Sequence, residues 1–447
     1  MKRYDSILII GSGGREHSIG WKLSNDTKKK VYFAPGNGGT GNNIEIDSND
    51  LINLLEFAKK HNSFTIVGPE KPLSLGIVDL FEGSQLSIFG PNRNASRLES
   101  SKVFAKLFMQ NTGIQTAPFS IFSDANSAIK HVQSSSKNVV VKVDGLAAGK
   151  GVFVCDNDKS ATEAIKKIFI DNEFRNSGNK IVLEERIYGD EASFIAICDG
   201  KSILPLASSQ DHKNILDDDK GPNTGGMGSY SPTPLITHSL ENKVMERIMQ
   251  PTIKGLTDLG INFKGFLYAG LMIERGSNEP YVLEFNVRMG DPECQSILSR
   301  MDSNLLQYLE AAMDEKLESM PTIKWKDKHS VCIVMASKGY PGKYQTGKVI
   351  HGLNSKFGHD THVFHSGTKK NSMREILTNG GRVLSVTSLD DTLEGAKNKC
   401  YSVVSQIHWG ENEEYYRRDI ALRGIKYTKR MGGCFRGRKS YSQHYGQ

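Results

Sequence analysis

Apolar runs and glycine-rich breaks alternate along the first hundred residues. Ser6-Ile7-Leu8-Ile9-Ile10 reads as a buried strand, Gly11-Ser12-Gly13-Gly14 as a turn, and residues 17–23 as the start of a helix. Val31-Tyr32-Phe33-Ala34, Phe64-Thr65-Ile66-Val67 and Leu86-Ser87-Ile88-Phe89 read as further strands, several of them ending in Gly/Pro loops such as 35–40 and 68–70. Strands alternating with helices predict a parallel, doubly wound sheet, which takes ligands at the carboxyl ends of its strands. Farther along, residues 100–112 read as a helix carrying Lys102 and Lys106. Residues 139–143 and 152–154 read as strands around a glycine-rich turn, and 181–183 as another strand. Residues 208–234 form a polar, Gly/Pro-rich stretch, predicted as a long loop of the functional or mobile kind. A helix over 240–259 and a hairpin-like pair over 265–290 follow. A last unit, about 326–420, opens with a strand at 330–335. No internal repeat is visible.

The second strand of that pair carries the densest chemistry. In Tyr281-Val282-Leu283-Glu284-Phe285-Asn286-Val287-Arg288-Met289, alternation puts Glu284, Asn286 and Arg288 on one face and Phe285, Val287 and Met289 on the other. The first face offers a carboxylate, an amide oxygen and a guanidinium within about 14 Å, at ~3.3 Å per residue. Hard oxygens suit Mg²⁺, which usually also takes phosphate oxygens. A guanidinium beside them neutralises charge on a transferred phosphoryl group. The same triplet also fits a solvated, salt-bridged strand face, and alone it does not decide.

Gly11-Ser12-Gly13-Gly14-Arg15-Glu16-His17 approaches a dinucleotide fingerprint and departs from it twice. Glu16 replaces the third glycine, and Ala34-Pro35-Gly36 stands where an acidic ribose partner belongs. This argues against a nicotinamide cofactor. It leaves a phosphate-binding turn at a helix N-terminus, with Arg15 adding charge, or a purely structural turn. Lys142-Val143-Asp144-Gly145-Leu146-Ala147-Ala148-Gly149-Lys150-Gly151 is not a P-loop, because Gly151 replaces Ser or Thr and a strand follows. It reads as a phosphate-covering flap with Lys142 on the strand behind, or as an ordinary hairpin turn. Glu184-Glu185-Arg186-Ile187 and Glu191 follow a strand end. There backbone can read an adenine edge and a carboxylate can take ribose hydroxyls, although glutamate pairs are also common on surfaces. Within 208–234, the glycines of Gly221-Pro222-Asn223-Thr224-Gly225-Gly226-Met227-Gly228 permit close backbone approach to a ligand. Asp211 suits an amine and Lys213 a carboxylate or phosphate, while the lone His212 reads as a surface residue.

Composition narrows the class. At 447 residues and 38% hydrophobic content, the chain is expected to form roughly two to four domains with real cores. No apolar run approaches the ~20 residues of a membrane helix, and the N-terminus is not expected to be a secretory signal. Six scattered cysteines without a Cys-x-x-Cys pair argue against a disulfide framework and a cysteine zinc site, and predict a cytoplasmic location. Of the 57 Lys and Arg, six lie in residues 424–447, which hold none of the 50 Asp and Glu. The body is nearly neutral, so nucleic-acid binding is not expected. The end reads as a solvated, poorly ordered basic tail.

In this order the motifs resemble the ATP-grasp superfamily. More narrowly they are similar to the phosphoribosylamine–glycine ligase family, over about residues 5–420. The segments that carry the likeness are IGSGGREH (10–17), APGNGGT (34–40), VGPE (67–70), SKVFAK (101–106), KVDGLAAGKGV (142–152), SQDHK (209–213), GPNTGGMGSYSP (221–232), LEFNVRMGDPE (283–293) and ASKGYPG (336–342). The resemblance implies an α/β fold with an N-terminal doubly wound domain (1–100), a central ATP-grasp unit (101–325) with a mobile lid at about 123–190, and a C-terminal β-rich domain (326–420). The basic tail (421–447) matches nothing. The resemblance further implies a monomer that uses ATP and Mg²⁺ (or Mn²⁺) to join glycine to 5-phosphoribosylamine through a glycyl phosphate, in de novo purine biosynthesis.

By that likeness Glu284 and Asn286 hold the metal and Arg288 faces the transferring phosphoryl. Asp291, Asp211 and Lys213 lie near glycine and the amine. Lys102, Lys142, Gly145, Gly149, Lys150, Gly151, Glu184, Glu185, Ile187 and Glu191 bind the nucleotide. Gly13, Gly14, Arg15, Gly36, Asn37, Gly38, Pro69, Glu70, Asn223 and Gly225 take the substrates. Cys294 departs from the family's more usual Thr, and is expected to tune packing and to make an oxidation-sensitive spot.

Overall fold

A computed structural model describes residues 4–135, 137–147, 151–171, 174 and 179–430. The N-terminal sheet is built from β1 (Ser6–Gly11), β2 (Lys30–Pro35), β3 (Ser63–Val67) and β4 (Ile88–Phe89), in the order β2-β1-β3-β4 and parallel throughout. This is the doubly wound sheet that the apolar periodicity predicts. All six residues of β1 are buried, as a strand covered on both faces must be. Glycine 11 ends β1 at φ +125°, and the helix Gly14–Asp26 starts directly behind it.

Four strands follow: β5 (Phe119–Phe122), β6 (Val139–Val143), β7 (Val152–Val154) and β8 (Ile181–Glu185). They form an antiparallel sheet, β5-β8-β6-β7, whose own small core holds Val141, Ile165 and Leu183. Next come β9 (Gly189–Asp199) and β10 (Ile203–Pro205), then four short strands, β11 (Gln210–Asp211), β12 (Asn214–Leu216), β13 (Lys220–Asn223) and β14 (Gly228–Ser231). The long strands β15 (Lys264–Glu274) and β16 (Pro280–Asn286) complete the central sheet, β10-β9-β15-β16. Phe285 and Val287 sit in the main core, one apolar face of the alternating strand.

The C-terminal sheet holds β17 (His329–Ser337), β18 (Thr361–His365) and, after the hairpin of β19 (Thr368–Lys370) and β20 (Ile376–Thr378), β21 (Arg382–Asp390). Its order is β11-β14-β17-β21-β18. Residues 208–234 are therefore not one long loop. Two of their strands are recruited into the distant sheet, with Ser229 opposite Cys332. Only a glycine allows that approach at 228, because a side chain there would meet the Cys332 carbonyl at 2.7 Å. The expectation of a solvated tail from 424 is corrected in its first part. Leu422–Arg430 is a helix with Gly424 and Ile425 buried, Gly424 lying against the Tyr230 ring. Residues 431–447 lie outside the described residues.

A histidine group seals the first helix to the C-terminal domain. The His365 amide donates to His17 Nδ1 at 2.9 Å, and Trp21 packs against His362 with tilted rings, centroids 4.4 Å apart. Burial pushes the His17 and His362 imidazoles down to about 4 and His365 to about 3. The unfolded chain therefore takes up protons near pH 6.5 while the folded chain does not. The stability these rings contribute is full above about pH 6.5 and is lost as pH falls toward 4, by about 2 kcal/mol per ring at pH 5. Urea midpoints at pH 7 and pH 5 will show this loss, and His17→Gln will flatten the slope.

Candidate active site

The sheets enclose a cleft of about 1230 Å³, lined from β6 and β7, from the glycine-rich segment 213–225, from the end of β16 and from the turn after β1. Glu284, Asn286 and Arg288 all face it, as alternation along β16 requires. The strand therefore delivers its polar face to the cleft and its apolar face to the core.

Charge in the cleft is paired in chains. Lys102, the first residue of the helix Lys102–Thr112, lies 3.1 Å from Glu284 Oε2. Lys213 lies 3.1 Å from Glu191 and 3.9 Å from Glu284 Oε1. Burial alone would raise the Glu284 carboxyl, yet Lys102, Lys213 and Lys142 outweigh it and hold it far below the usual range. Lys142, on β6, pairs with Glu184 Oε1 at 2.8 Å and donates to the Leu283 carbonyl. Lys106 pairs with the other Glu184 oxygen at 3.1 Å, and burial brings its ammonium down to about 8. The Glu184 side chain thus turns inward to two lysines. Glu185, Arg186, Ile187 and Glu191 line the cleft beside it.

Arg288 is gripped from behind. Its NH2 lies 2.6 Å from Glu99 Oε1 and donates to Asn286 Oδ1 at 3.1 Å, and its Nε lies 3.4 Å from Glu70. Glu99 also accepts the Val287 amide at 2.8 Å, so it locks both side chain and backbone of the strand. Burial keeps the Glu99 carboxyl raised even with Arg288 beside it. Glu70, half-buried, is held low by Arg288 and Arg15.

Glu284 and Asn286 supply two hard oxygens on one face. Among the described residues no group of three or more His, Cys, Asp or Glu is arranged to hold a metal. The donor set therefore fits Mg²⁺ whose remaining ligands are nucleotide phosphates and water, and does not fit an all-protein cage.

At the other end, burial and Glu293 raise the Asp211 carboxyl well above its usual range. Glu293 accepts hydrogen bonds from Tyr268 and Ser193, at 2.7 and 3.0 Å. Burial would raise Asp291 as well, but Arg382 and Arg15 hold it low. Arg382 NH1 donates to the carbonyls of Asp291 (2.6 Å) and Gly225 (2.7 Å), tying the glycine-rich run to the turn after β16. Asn223 and Gly225 line the cleft, and so do Gly145 and Gly151 of the flap, whereas Gly149 and Lys150 lie outside the described residues.

The turn after β1 is already capped. Glu16 accepts the Gly13 amide and the Arg15 Nε, each at 2.6 Å. It fits because positions 11 and 68 are glycines, since a Cβ at 68 would lie 2.0 Å from the carboxylate. Gly13, Arg15, Pro69 and Glu70 line the cleft. Gly14 instead packs against Gln295 and Ser385. The 36–38 loop is bound to the C-terminal domain, with Asn37 Nδ2 donating to the His365 carbonyl and the Gly38 amide to the Thr368 carbonyl.

Two other expectations change. His212 is 1% exposed rather than a surface residue, because its backbone pairs with Met227 and Gly228. Cys294 is wholly buried against Ser18, and burial pushes its thiol up, so it is sealed from oxidants rather than sensitive to them. Glu99, Glu293 and Arg382 were not singled out as site residues. Glu293 stands inside a quoted motif and Arg382 directly follows Gly380-Gly381, but only folding shows what they touch.

A cleft between α/β units, with a carboxylate–amide–guanidinium strand at its floor, defines an ATP-grasp enzyme. Family models for the N domain, ATP-grasp (A) domain and C domain of phosphoribosylglycinamide synthetase match residues 5–99, 100–294 and 330–423. The phosphoribosylamine–glycine ligase of Yersinia pestis is 44% identical over 427 residues, 94% of this chain and 99% of that protein. That of Neisseria meningitidis serogroup B is 46% identical over 424 residues, 94% of this chain and 99% of that one. The crystal structure of the Thermotoga maritima phosphoribosylamine–glycine ligase superposes with a TM-score of 0.80 at 32% identity, covering 93% of this chain and 99% of that one. The biotin carboxylase domain of the Hydrogenobacter thermophilus 2-oxoglutarate carboxylase, solved with MgADP, shares the fold at a TM-score of 0.72 and 14% identity, covering 99% of this chain and 100% of that one. The chain belongs to the phosphoribosylglycinamide synthetase family and is an ATP-dependent ligase.

Proposed function

We propose that this chain joins glycine to 5-phosphoribosylamine, yielding glycinamide ribonucleotide, ADP and phosphate in de novo purine biosynthesis. The observation that carries the site reading is the Glu284–Asn286–Arg288 face turned into the cleft among Lys102, Lys142 and Lys213. A glycine carboxylate oxygen attacks the γ-phosphorus of ATP. The bond to the β–γ bridging oxygen breaks, ADP leaves and glycyl phosphate forms. The amine nitrogen of phosphoribosylamine then attacks the acyl carbon, phosphate leaves, and the nitrogen loses a proton.

The protein's part is positioning and charge neutralisation, with no covalent intermediate on the chain. Lys102 and Lys142 exchange carboxylate partners for nucleotide phosphates under the 144–151 flap. Residues 184–187 line the adenine and Glu191 holds the ribose. Arg288, fixed by Glu99 and Glu70, faces the charge that develops on the phosphoryl group and then on the tetrahedral carbon. Glu284 and Asn286 hold Mg²⁺, which supplies further neutralisation when bound with the nucleotide. Asp211 and Asp291 face the ammonium and amine groups, with Lys213 beside them. The turn at 13–15 and residues 69–70 face the phosphorylated sugar.

The corresponding division is 1–100, 101–325 with the lid at about 123–190, and 326–420. No described helix is long and apolar enough to cross a membrane. The unpaired, buried state of the five described cysteines supports work in a reducing cytoplasm. The near-neutral body supports small molecules as partners, and we place the working unit at one chain. With ATP, Mg²⁺ and phosphoribosylamine present, ADP release is expected to depend on glycine. Background release with glycine, together with stimulation by bicarbonate or formate, overturns the reading.

A further inference from the structure

The glycine-rich side of the cleft is held at its base by a side chain that does not reach the reacting groups. Between Lys213 and Asn223 the chain runs out along β12 and returns along β13. The turn between them is Asp217-Asp218-Asp219, and the last two residues lie in the left-handed region at φ 58° and 56°. Aspartate enters that region only with local hydrogen bonding, and three successive carboxylates repel one another. Alone, such a turn would not keep one geometry.

The hold comes from residues 417–423, about two hundred positions later. The Arg417 side chain is 0% exposed. Its NH1 donates to the Asn214 carbonyl at 3.1 Å and to Asp219 Oδ1 at 3.0 Å. Its Nε and NH2 grip both oxygens of Asp419, at 2.7 and 2.6 Å. Asp419 Oδ2 in turn accepts the amide of Asp218, the first left-handed residue, at 2.9 Å. The Arg418 amide donates to Asp217 Oδ1 at 2.8 Å, and Arg423 pairs with Asp219 Oδ2 at 3.1 Å. Each of the three turn residues is thus tied to the 417–423 segment. The hairpin held in this way presents Lys213, Asn214 and Asn223 to the cleft.

We propose that Arg417 is a positioning residue for the ligation. It fixes the hairpin of 214–223 so that Lys213 and the run 223–226 keep their place over the end of the cleft that takes glycine. The role needs a planar fork that reaches acceptors in two directions, which an ammonium cannot supply. Arg382 holds the far tip of the same segment independently, through Gly225. The proposal rests on the reading that glycine lies under this hairpin and the nucleotide under the lid. Glycine-dependent ADP release by the unmodified enzyme tests that reading by itself, so its failure is seen apart from any variant.

The test compares Arg417→Lys, Arg417→Met and Asp219→Gly in the full chain. The last variant keeps a residue at ease in the left-handed region and removes only the ion pairs. Expected is a rise in KM for glycine of roughly 10- to 100-fold, with ADP affinity by calorimetry unchanged. Arg417→Lys should fall short of rescue. If Arg417→Met does not fold, Asp219→Gly is read in the same way. An unchanged KM for glycine with only a lower melting temperature or active fraction overturns the proposal. An equal loss of ADP affinity overturns it too.

Discussion

Arg288→Lys will lower turnover by about 10³-fold or more, the range set by removal of an arginine that meets phosphoryl-transfer charge, while the protein stays folded and binds ADP. The guanidinium meets Glu99, Glu70 and Asn286 at three different nitrogen–oxygen contacts. An ammonium keeps the charge that Glu99 and Glu70 need but cannot span them and still face the cleft. Arg288→Ala removes the charge as well. It leaves the buried Glu99 without its partner, and breaking such a pair costs about 3–5 kcal/mol. The lysine variant therefore isolates the chemistry and the alanine variant adds the structural cost. Single-turnover phosphate release, set beside thermal melting, separates the two. Near-wild-type turnover in Arg288→Lys would remove Arg288 from its assigned role.

Glu284→Gln is the second large effect. The carboxylate is the only charged group of the proposed metal pair, and it balances Lys102 and Lys213. Glutamine keeps the shape and loses the charge. Turnover is expected to fall by about 10²–10³-fold, the scale of losing one preorganised electrostatic contact. A second readout is independent of activity. ADP binding to the unmodified protein should tighten with Mg²⁺, and in Glu284→Gln that dependence should largely vanish. If Mg²⁺ tightens ADP binding equally in both proteins, Glu284 is not a metal ligand.

These expectations show how unevenly the site was legible. The Glu284–Asn286–Arg288 face was readable because alternation is a local property of a strand. The parallel N-terminal sheet was readable for the same reason, from apolar runs closed by glycine turns. β6 and β7 were readable from the β-branched runs at 139–143 and 152–154. What failed was whatever depended on a distant partner. Residues 208–234 look like a loop because their polar and glycine residues carry no periodicity, yet an open edge on β17 recruits two of their strands. His212 and the helix Leu422–Arg430 depend on that recruitment, and the packing of Cys294 depends on Ser18 of the helix Gly14–Asp26, which covers it.

Sequence alone therefore settled the fold class, the reaction class and the polar face of β16. All of these rest on short-range spacing or on long motifs. Only the tertiary structure decided which charges meet. Glu99 lies 188 positions from the amide it holds, and Arg417 about two hundred from the turn it braces. A single Glu or Arg carries no pattern of its own, and its role is set by the groups that burial forces it to satisfy. Those groups become neighbours only when the sheets close around the cleft.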